Sequence, residues 1–368
     1  MTKHLERATD ALDRCFAAKP YSLQGSERTL LLDQGLASLN RHHYESCPAY
    51  RRILDGYWRG GLDAETLDQH PYLPASIFKT QELRSVPDSE VRLTLTSSGT
   101  TGQTPSRIFV DRETSALQQR ALITSLMHAI GPKRLPMLIV DSASTVSDRN
   151  TISARGAGIL GMMRFGHNHC YALDDSMLPK LDEIRQFLKE FGGKPFLIFG
   201  FTFMIWSGIY EKLHQTELDM SNGILIHSGG WKKMLARSVD NRQFRQIMNV
   251  AFGLHRIYNF YGMVEQLGSI FLEGPDGLLY PPNFSDVIIR DPETWAVAEP
   301  GIPGLVQVLS LLPRSYPGHN LLTEDIGVIE ATYDSSDGWG GKGIRILGRV
   351  NEAELRGCSD TFSAPAIL

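Results

Sequence analysis

The chain of 368 residues has almost no net charge. Lys and Arg number 37 against 41 Asp and Glu, a formal charge of -4. No overall field therefore draws it to nucleic acid or to an anionic membrane, and partners must be recognised locally. Cysteine is scarce: Cys15, Cys47, Cys170 and Cys358 are scattered without metal-ligand spacing, which excludes a disulfide framework or a zinc module read from spacing alone. The opening MTKHLERATDALDRC lacks the apolar segment of a secretory signal. Together these absences lead to the expectation of a reduced, cytoplasmic protein. Long apolar runs are missing as well. The charge-free PFLIFGFTFMIWSGIY, Pro195 to Tyr210, is too short and too broken by glycine to span a membrane. It reads as a buried strand FLIFG, a turn at Gly200 to Thr202, and a helix from near Phe203, which could also line a pocket for an apolar ligand.

What the chain does have, with 42% hydrophobic and 21% charged residues, is enough apolar surface for a large core. No internal repeat, low-complexity tract or long linker interrupts it. The first ~90 residues repeat apolar positions at three- and four-residue spacing in HLERATDALDRCFAA and SERTLLLDQGLASLNRHHYESC, predicting helices. From RLTLT onward, strand-type and helix-type segments alternate through LPMLIVD, LPKLDEIRQFLKEFGG, PFLIFG, NGILIHSGG and HRIYNFYG, the pattern of an α/β fold with a mostly parallel sheet. After about residue 270, GLLYPPNFSDVIIRDPETW, GLVQVLSLL, NLLTEDIGVIEATY and GIRILGRV read as short strands between Gly and Pro turns. The expected organisation is a helical region over 1–90 packed on the core, an α/β core for nucleotide and acyl binding over 91–270, and a β-rich subdomain with a short tail over 271–368.

LTLTSSGTTGQTPSRIF, residues 93–109, places Ser97, Ser98, Gly99, Thr100, Thr101 and Gly102 directly after a strand. Unobstructed backbone N–H groups beside hydroxyls suit phosphate oxygens. Composition alone equally allows a plain surface turn. The Walker pattern fails because Gln103, not lysine, follows Gly102. SSGTTG resembles the phosphate-binding signature of the adenylate-forming superfamily, the ligases that make acyl-AMP from a carboxylic acid and ATP. Further segments follow in that superfamily's order. ILIHSGGWKK supplies Gly229 and Gly230 for one side of an adenine slot. YNFYGMVEQ supplies Asn259, Tyr261, Gly262 and Glu265, with Val264 where threonine is usual. LLTEDIG puts Asp325 where the superfamily has its ribose-binding aspartate, and GRVNEAELRG resembles the hinge, with Arg349 turned toward phosphate or ribose. The resemblance implies ATP as cosubstrate and Mg2+ held by Glu265. The chemistry suits such residues, because a carboxylate attacking the α-phosphate brings two anions together and must be helped by positioning and charge neutralisation.

The sequence stops eleven residues after Gly357, so the expectation is that the mobile lysine-bearing domain that follows the hinge in ordinary members is lacking. Cys358 stands in that tail. A lone cysteine is commonly a small buried apolar residue, but as thiolate it is a nucleophile able to accept an acyl group as thioester; Arg356 would favour the thiolate and Asp360 oppose it. The ordered set resembles the acyl-protein synthetases of the LuxE type over nearly the whole chain, through HPYLPASIFKTQEL, IFVDRET, SGGWK, IIRDPETW, PGIPGL and RVNEAELRGC. That resemblance implies adenylation of a long-chain fatty acid, transfer to Cys358, and delivery to an acceptor: a partner acyl reductase, an acyl carrier protein or coenzyme A. A coenzyme-A or aryl ligase with a passive Cys358, and a non-catalytic nucleotide-binding subunit, remain open at this point. His227 could touch nucleotide or the acyl carboxylate, or be a core histidine; Lys232 and Lys233 could meet phosphate or only solvent. GHNHC, Gly166 to Cys170, lacks a second ligand pair for a metal.

Overall fold

The computed structural model describes residues 3–59, 61–96, 105–147, 154–231, 238–333 and 338–350. Three helices come first: α1 (Lys3–Ala17), α2 (Gly25–Ser46) and α3 (Pro48–Tyr57), the last started by a proline at its first position, where no helical N–H is needed. A short β1 (Leu73–Pro74) precedes the antiparallel pair β2 (Leu93–Thr96) and β3 (Arg107–Val110). Then follow α4 (Arg112–Ile130), β4 (Leu135–Val140), α5 (Ala154–Met162), β5 (Gly166–Tyr171), α6 (Leu181–Phe191), β6 (Phe196–Phe201) and β7 (Gly223–Ser228). After the helix Asn241–Phe252 come β8 (Arg256–Tyr261), β9 (Phe271–Glu273), β10 (Leu279–Tyr280), β11 (Ser285–Arg290), β12 (Gly304–Ser310), β13 (Asn320–Tyr333) and β14 (Gly341–Arg349).

The chain forms two compact units. One comprises Ser125–Tyr261 and Phe271–Leu279. Its strands lie in the order β5, β4, β6, β7, β8, β9, all parallel except the antiparallel β8–β9 pair. The mostly parallel sheet read from the alternating segments is present here, and its central strands are apolar on both faces because both are covered. Leu138, Ile198, Leu225 and Ile257 pack with Phe244, Met248 and Phe252 of the helix Asn241–Phe252. Each such side chain contributes about 1.5–3 kcal/mol by leaving water. Asp240 caps that helix, accepting from the N–H of Gln243 at 2.8 Å while the Gln243 side chain accepts from Asp240 N–H, and Gly253 closes the far end in the left-handed conformation. A helix follows β6 as expected, but the strand runs through Phe201 and the helix starts at Thr202, so the turn expected over Gly200 to Thr202 is absent, and Ile205–Tyr210 is wound as a π-helix.

The other unit comprises residues 1–124, Gly262–Ile270 and 280–368. Here β11, β12, β13 and β14 form an antiparallel run, and β1 joins β13 in parallel. β13 is 14 residues long, bent by register shifts, where the sequence suggested only short strands. Ala8, Ala11 and Leu12 of α1 and Leu31, Leu36 and Leu39 of α2 share one core with Ile288, Leu309 and Leu311. The first helices and the β11–β12 pair thus bury each other's apolar faces.

Candidate functional site

In the unit holding β11–β14, three of the expected residues come together. Asp325 and Arg349 are directly opposed across β13 and β14. Arg349 Nε donates to Asp325 Oδ1 at 3.0 Å, with the Arg349 side chain 67% exposed. So exposed a pair adds little to stability, at most about 1 kcal/mol. Glu265 lies in a single 3-10 turn, Val264–Gln266, and is buried, only 7% exposed. Burial raises its pKa, while the Ser106 hydroxyl, Arg349 and Lys79 pull it down. The aspartate, the arginine and the carboxylate, far apart in sequence, therefore act in one electrostatic neighbourhood. Ser106 and Lys79 carry no sequence signal that would have placed them there. Gly262 begins the same segment, where an added Cβ would stand 3.2 Å from the Ile270 side chain.

The other unit holds Gly229, Gly230, Asn259 and Tyr261. β7 ends at Ser228 and the chain turns at Gly229, whose φ of +84° favours glycine; an added Cβ there would also touch Phe201. β8 runs beside β7, pairing His227 with Asn259 and Ser228 with Phe260. Asn259 N–H donates to Glu273 Oε2 at 2.7 Å, whereas its side-chain Oδ1 is buried without a protein partner among the described residues. The half-buried Tyr261 ring packs on Phe271 at 5.8 Å. Glu273, fully buried, also accepts from Asn241 Nδ2 at 2.7 Å and Arg245 Nη1 at 2.5 Å, so the β8 end is tied to the helix behind it.

His227 belongs to the core. It is 1% exposed, its ring packs on Phe244 at 4.6 Å, and Nδ1 lies 2.9 Å from Thr202 Oγ1. Burial, helped by Arg245, pushes its pKa down to about 3, so it is neutral. In GHNHC, His167 bonds Asn168 and His169 bonds the Met163 carbonyl, and among the described residues no group of three or more His, Cys, Asp and Glu could hold a metal ion. Ser97, Ser98, Gly99, Thr100, Thr101, Gly102, Lys232, Lys233, Arg356, Gly357 and Cys358 lie outside the described residues. No helix is long and apolar enough to cross a membrane among the described residues.

Comparison with known proteins places this geometry. The family model of LuxE acyl-protein synthetases matches residues 3–366. The chain is 24% identical over 375 residues to the long-chain-fatty-acid–luciferin-component ligase of Vibrio harveyi, covering 98% of this chain and 95% of that protein. It is 23% identical over 363 residues to the ligase of the same name from Aliivibrio fischeri, covering 94% and 92%. Among solved structures, an open conformation of 2-hydroxyisobutyryl-CoA ligase, in complex with 2-HIB-AMP and CoA, superposes with a TM-score of 0.66 over 90% of this chain and 72% of that one, at 16% identity. The same ligase in its thioesterification state gives 0.66 over 90% and 70%, at 17% identity. These structures share the adenylate-forming fold. The chain belongs to the LuxE acyl-protein synthetase family and is an acid ligase.

Proposed function

We propose that the chain activates a long-chain fatty acid with ATP, forming acyl-AMP and pyrophosphate, and that Cys358 then takes the acyl group as a thioester for delivery to a partner protein such as an acyl reductase. The observation that carries the first half is the convergence of Asp325, Arg349 and Glu265 in one neighbourhood. Asp325 accepts from the ribose hydroxyls, and Arg349, already its cross-strand partner, extends a fork to phosphate. The chain's binding of two anions before they react is the main catalytic contribution. The Ser97–Gly102 loop holds the phosphates by backbone N–H and hydroxyl groups, Gly229 and Gly230 leave a flat edge for adenine, Tyr261 covers its face, and Asn259 Oδ1, buried without a partner among the described residues, accepts from its exocyclic amine.

Mg2+ suits Glu265. The ion is bound in such sites by one or two carboxylates together with substrate phosphates, and the buried Glu265 carboxylate, whose ionisation burial opposes, gains most from a nearby cation. When bound, the ion neutralises phosphate charge. Cys358 attacks the acyl carbonyl as thiolate; its S–C bond forms as the bond to AMP breaks and AMP leaves. The names of the Vibrio harveyi and Aliivibrio fischeri relatives support a long-chain acid as the substrate.

Acid-dependent ATP–pyrophosphate exchange tests the first half, using Glu265→Gln, which is expected to lose exchange by at least a hundredfold. Retention of labelled fatty acid on the denatured wild-type protein but not on Cys358→Ser tests the second. Equal labelling of both would remove the carrier role, and free acyl-CoA undiminished in Cys358→Ser would make the protein a coenzyme-A ligase. No exchange with any acid would leave only a binding subunit.

A further inference from the structure

Residues 311–319, between β12 and β13, form a strap in which every residue is buried. Polar groups of its own unit hold it along its length. His43 Nε2 donates to the Pro313 carbonyl at 3.3 Å and His42 Nε2 to the Arg314 carbonyl at 2.9 Å. Ser85 N–H donates to the Ser315 carbonyl at 2.7 Å, Ser315 N–H to Thr114 Oγ1 at 3.1 Å, and Ser315 Oγ to the Phe109 carbonyl at 2.9 Å. His319 Nε2 donates to Asn40 Oδ1 at 2.7 Å.

The strap in turn grips the turn that carries Glu265. Tyr316 O–H donates to the Glu265 carbonyl at 3.0 Å and accepts from Gln118 Nε2 at 3.2 Å. Gln266 Nε2 donates to the Gly318 carbonyl at 2.9 Å and to the Val308 carbonyl at 3.0 Å. A Cβ at Gly318 would stand 2.8 Å from the Glu265 carbonyl oxygen, so the two backbones touch. A single 3-10 turn without a side-chain cap has too few internal bonds to set its own direction. Direction must come from what it is bonded to.

We propose that Tyr316 is a positioning residue for Glu265: its hydroxyl, oriented by Gln118 and backed by the buried strap, fixes the backbone from which the Glu265 carboxylate is aimed at the metal–nucleotide complex. Burial raises the phenol pKa well above its ordinary value, keeping the proton needed to donate. The inference rests on the reading that Glu265 holds the ion.

The test is a titration of Mn2+ by electron paramagnetic resonance in the presence of ATP, on the full chain, for wild type, Tyr316→Phe, Gln118→Leu and Glu265→Gln, with exchange kinetics against Mg2+ alongside. Tyr316→Phe keeps the ring against Phe78, 6.0 Å away, and removes only the donor. It is expected to bind Mn2+ with ATP about tenfold more weakly, to lower kcat of exchange by a similar factor, and to recover part of the loss at high Mg2+. A folded Tyr316→Phe with wild-type Mn2+ affinity overturns the proposal. Should Tyr316→Phe not fold, Gln118→Leu, which leaves the hydroxyl but releases it, decides: about threefold weaker binding supports the proposal and unchanged binding overturns it. If Glu265→Gln itself binds Mn2+ and ATP like wild type, the reading of Glu265 fails and the positioning role with it; if Glu265→Gln loses the ion and Tyr316→Phe does not, only the positioning role fails.

Discussion

Lowering the pH from 7 to 5 will destabilise the unit that holds the strap, because burial holds His319 and His43 in neutral form. His319 Nε2–H donates to Asn40 Oδ1, which also accepts from Tyr50 O–H at 2.8 Å, while Asn40 Nδ2 donates to His70 Nδ1 at 3.0 Å and His70 Nε2 to Asp33 at 2.9 Å. His43, stacked on His319 with centroids 4.9 Å apart, accepts from Ser85 and donates to a carbonyl. No carboxylate directly bonds His319, His43 or His42 to receive a second proton among these partners, and Arg314 and the neighbouring rings repel one. Burial pushes His319 down to about 3 from its ordinary 6.5, and His43 well down in the same sense. The unfolded chain takes up protons below about pH 6.5 and the folded chain does not, so this stability is complete above 6.5 and is lost as pH falls toward 3. For His319 alone, integrating the proton uptake from pH 7 to pH 5 removes about 2 kcal/mol, a sizeable fraction of an ordinary domain's 5–15 kcal/mol. His43 adds to it. Urea unfolding followed by near-ultraviolet circular dichroism at the two pH values measures the loss. His319→Gln, which keeps a donor toward Asn40 but cannot titrate, should lose about 2 kcal/mol less than wild type over the same interval. Equal losses in the two proteins would refute the reasoning.

Asp325→Asn should leave the unfolding free energy within about 1 kcal/mol of wild type, since its partner Arg349 is largely exposed, yet raise KM for ATP severalfold in the exchange assay; a large stability loss with unchanged KM would contradict the site. Gly268→Ala should destabilise by more than about 3 kcal/mol in urea titration, because φ is +89° and the new Cβ would stand 2.5 Å from the Gln118 carbonyl oxygen. Glu273→Gln should cost about 3–5 kcal/mol, leaving Arg245 without its charge partner and the Asn241 and Asn259 donors poorly served. Asp240→Ala, removing one cap of an otherwise intact helix, should cost only about 1 kcal/mol in the same measurement.

The amino-acid sequence determined the local pieces. Alternating apolar segments foretold the parallel strands β4, β6, β7 and β8, because buried strands must be apolar on both faces, and the glycine of ILIHSGG marked the turn at Gly229, because that backbone conformation favours glycine. The order of short motifs pointed to the family, whose model matches residues 3–366. Tertiary structure alone decided what stands beside what. Nothing in LLTEDIG or GRVNEA says that Asp325 faces Arg349; only the register of two antiparallel strands does. Nothing in PRSYPGHN distinguishes a strap from a surface loop, because polar and proline-rich residues ordinarily favour solvent and are buried here only by the bonds that distant helices supply. Ser106 and Lys79 near Glu265, and Gln118 on Tyr316, likewise come from chain folding rather than from spacing, since contacts across long sequence separations leave no period to read.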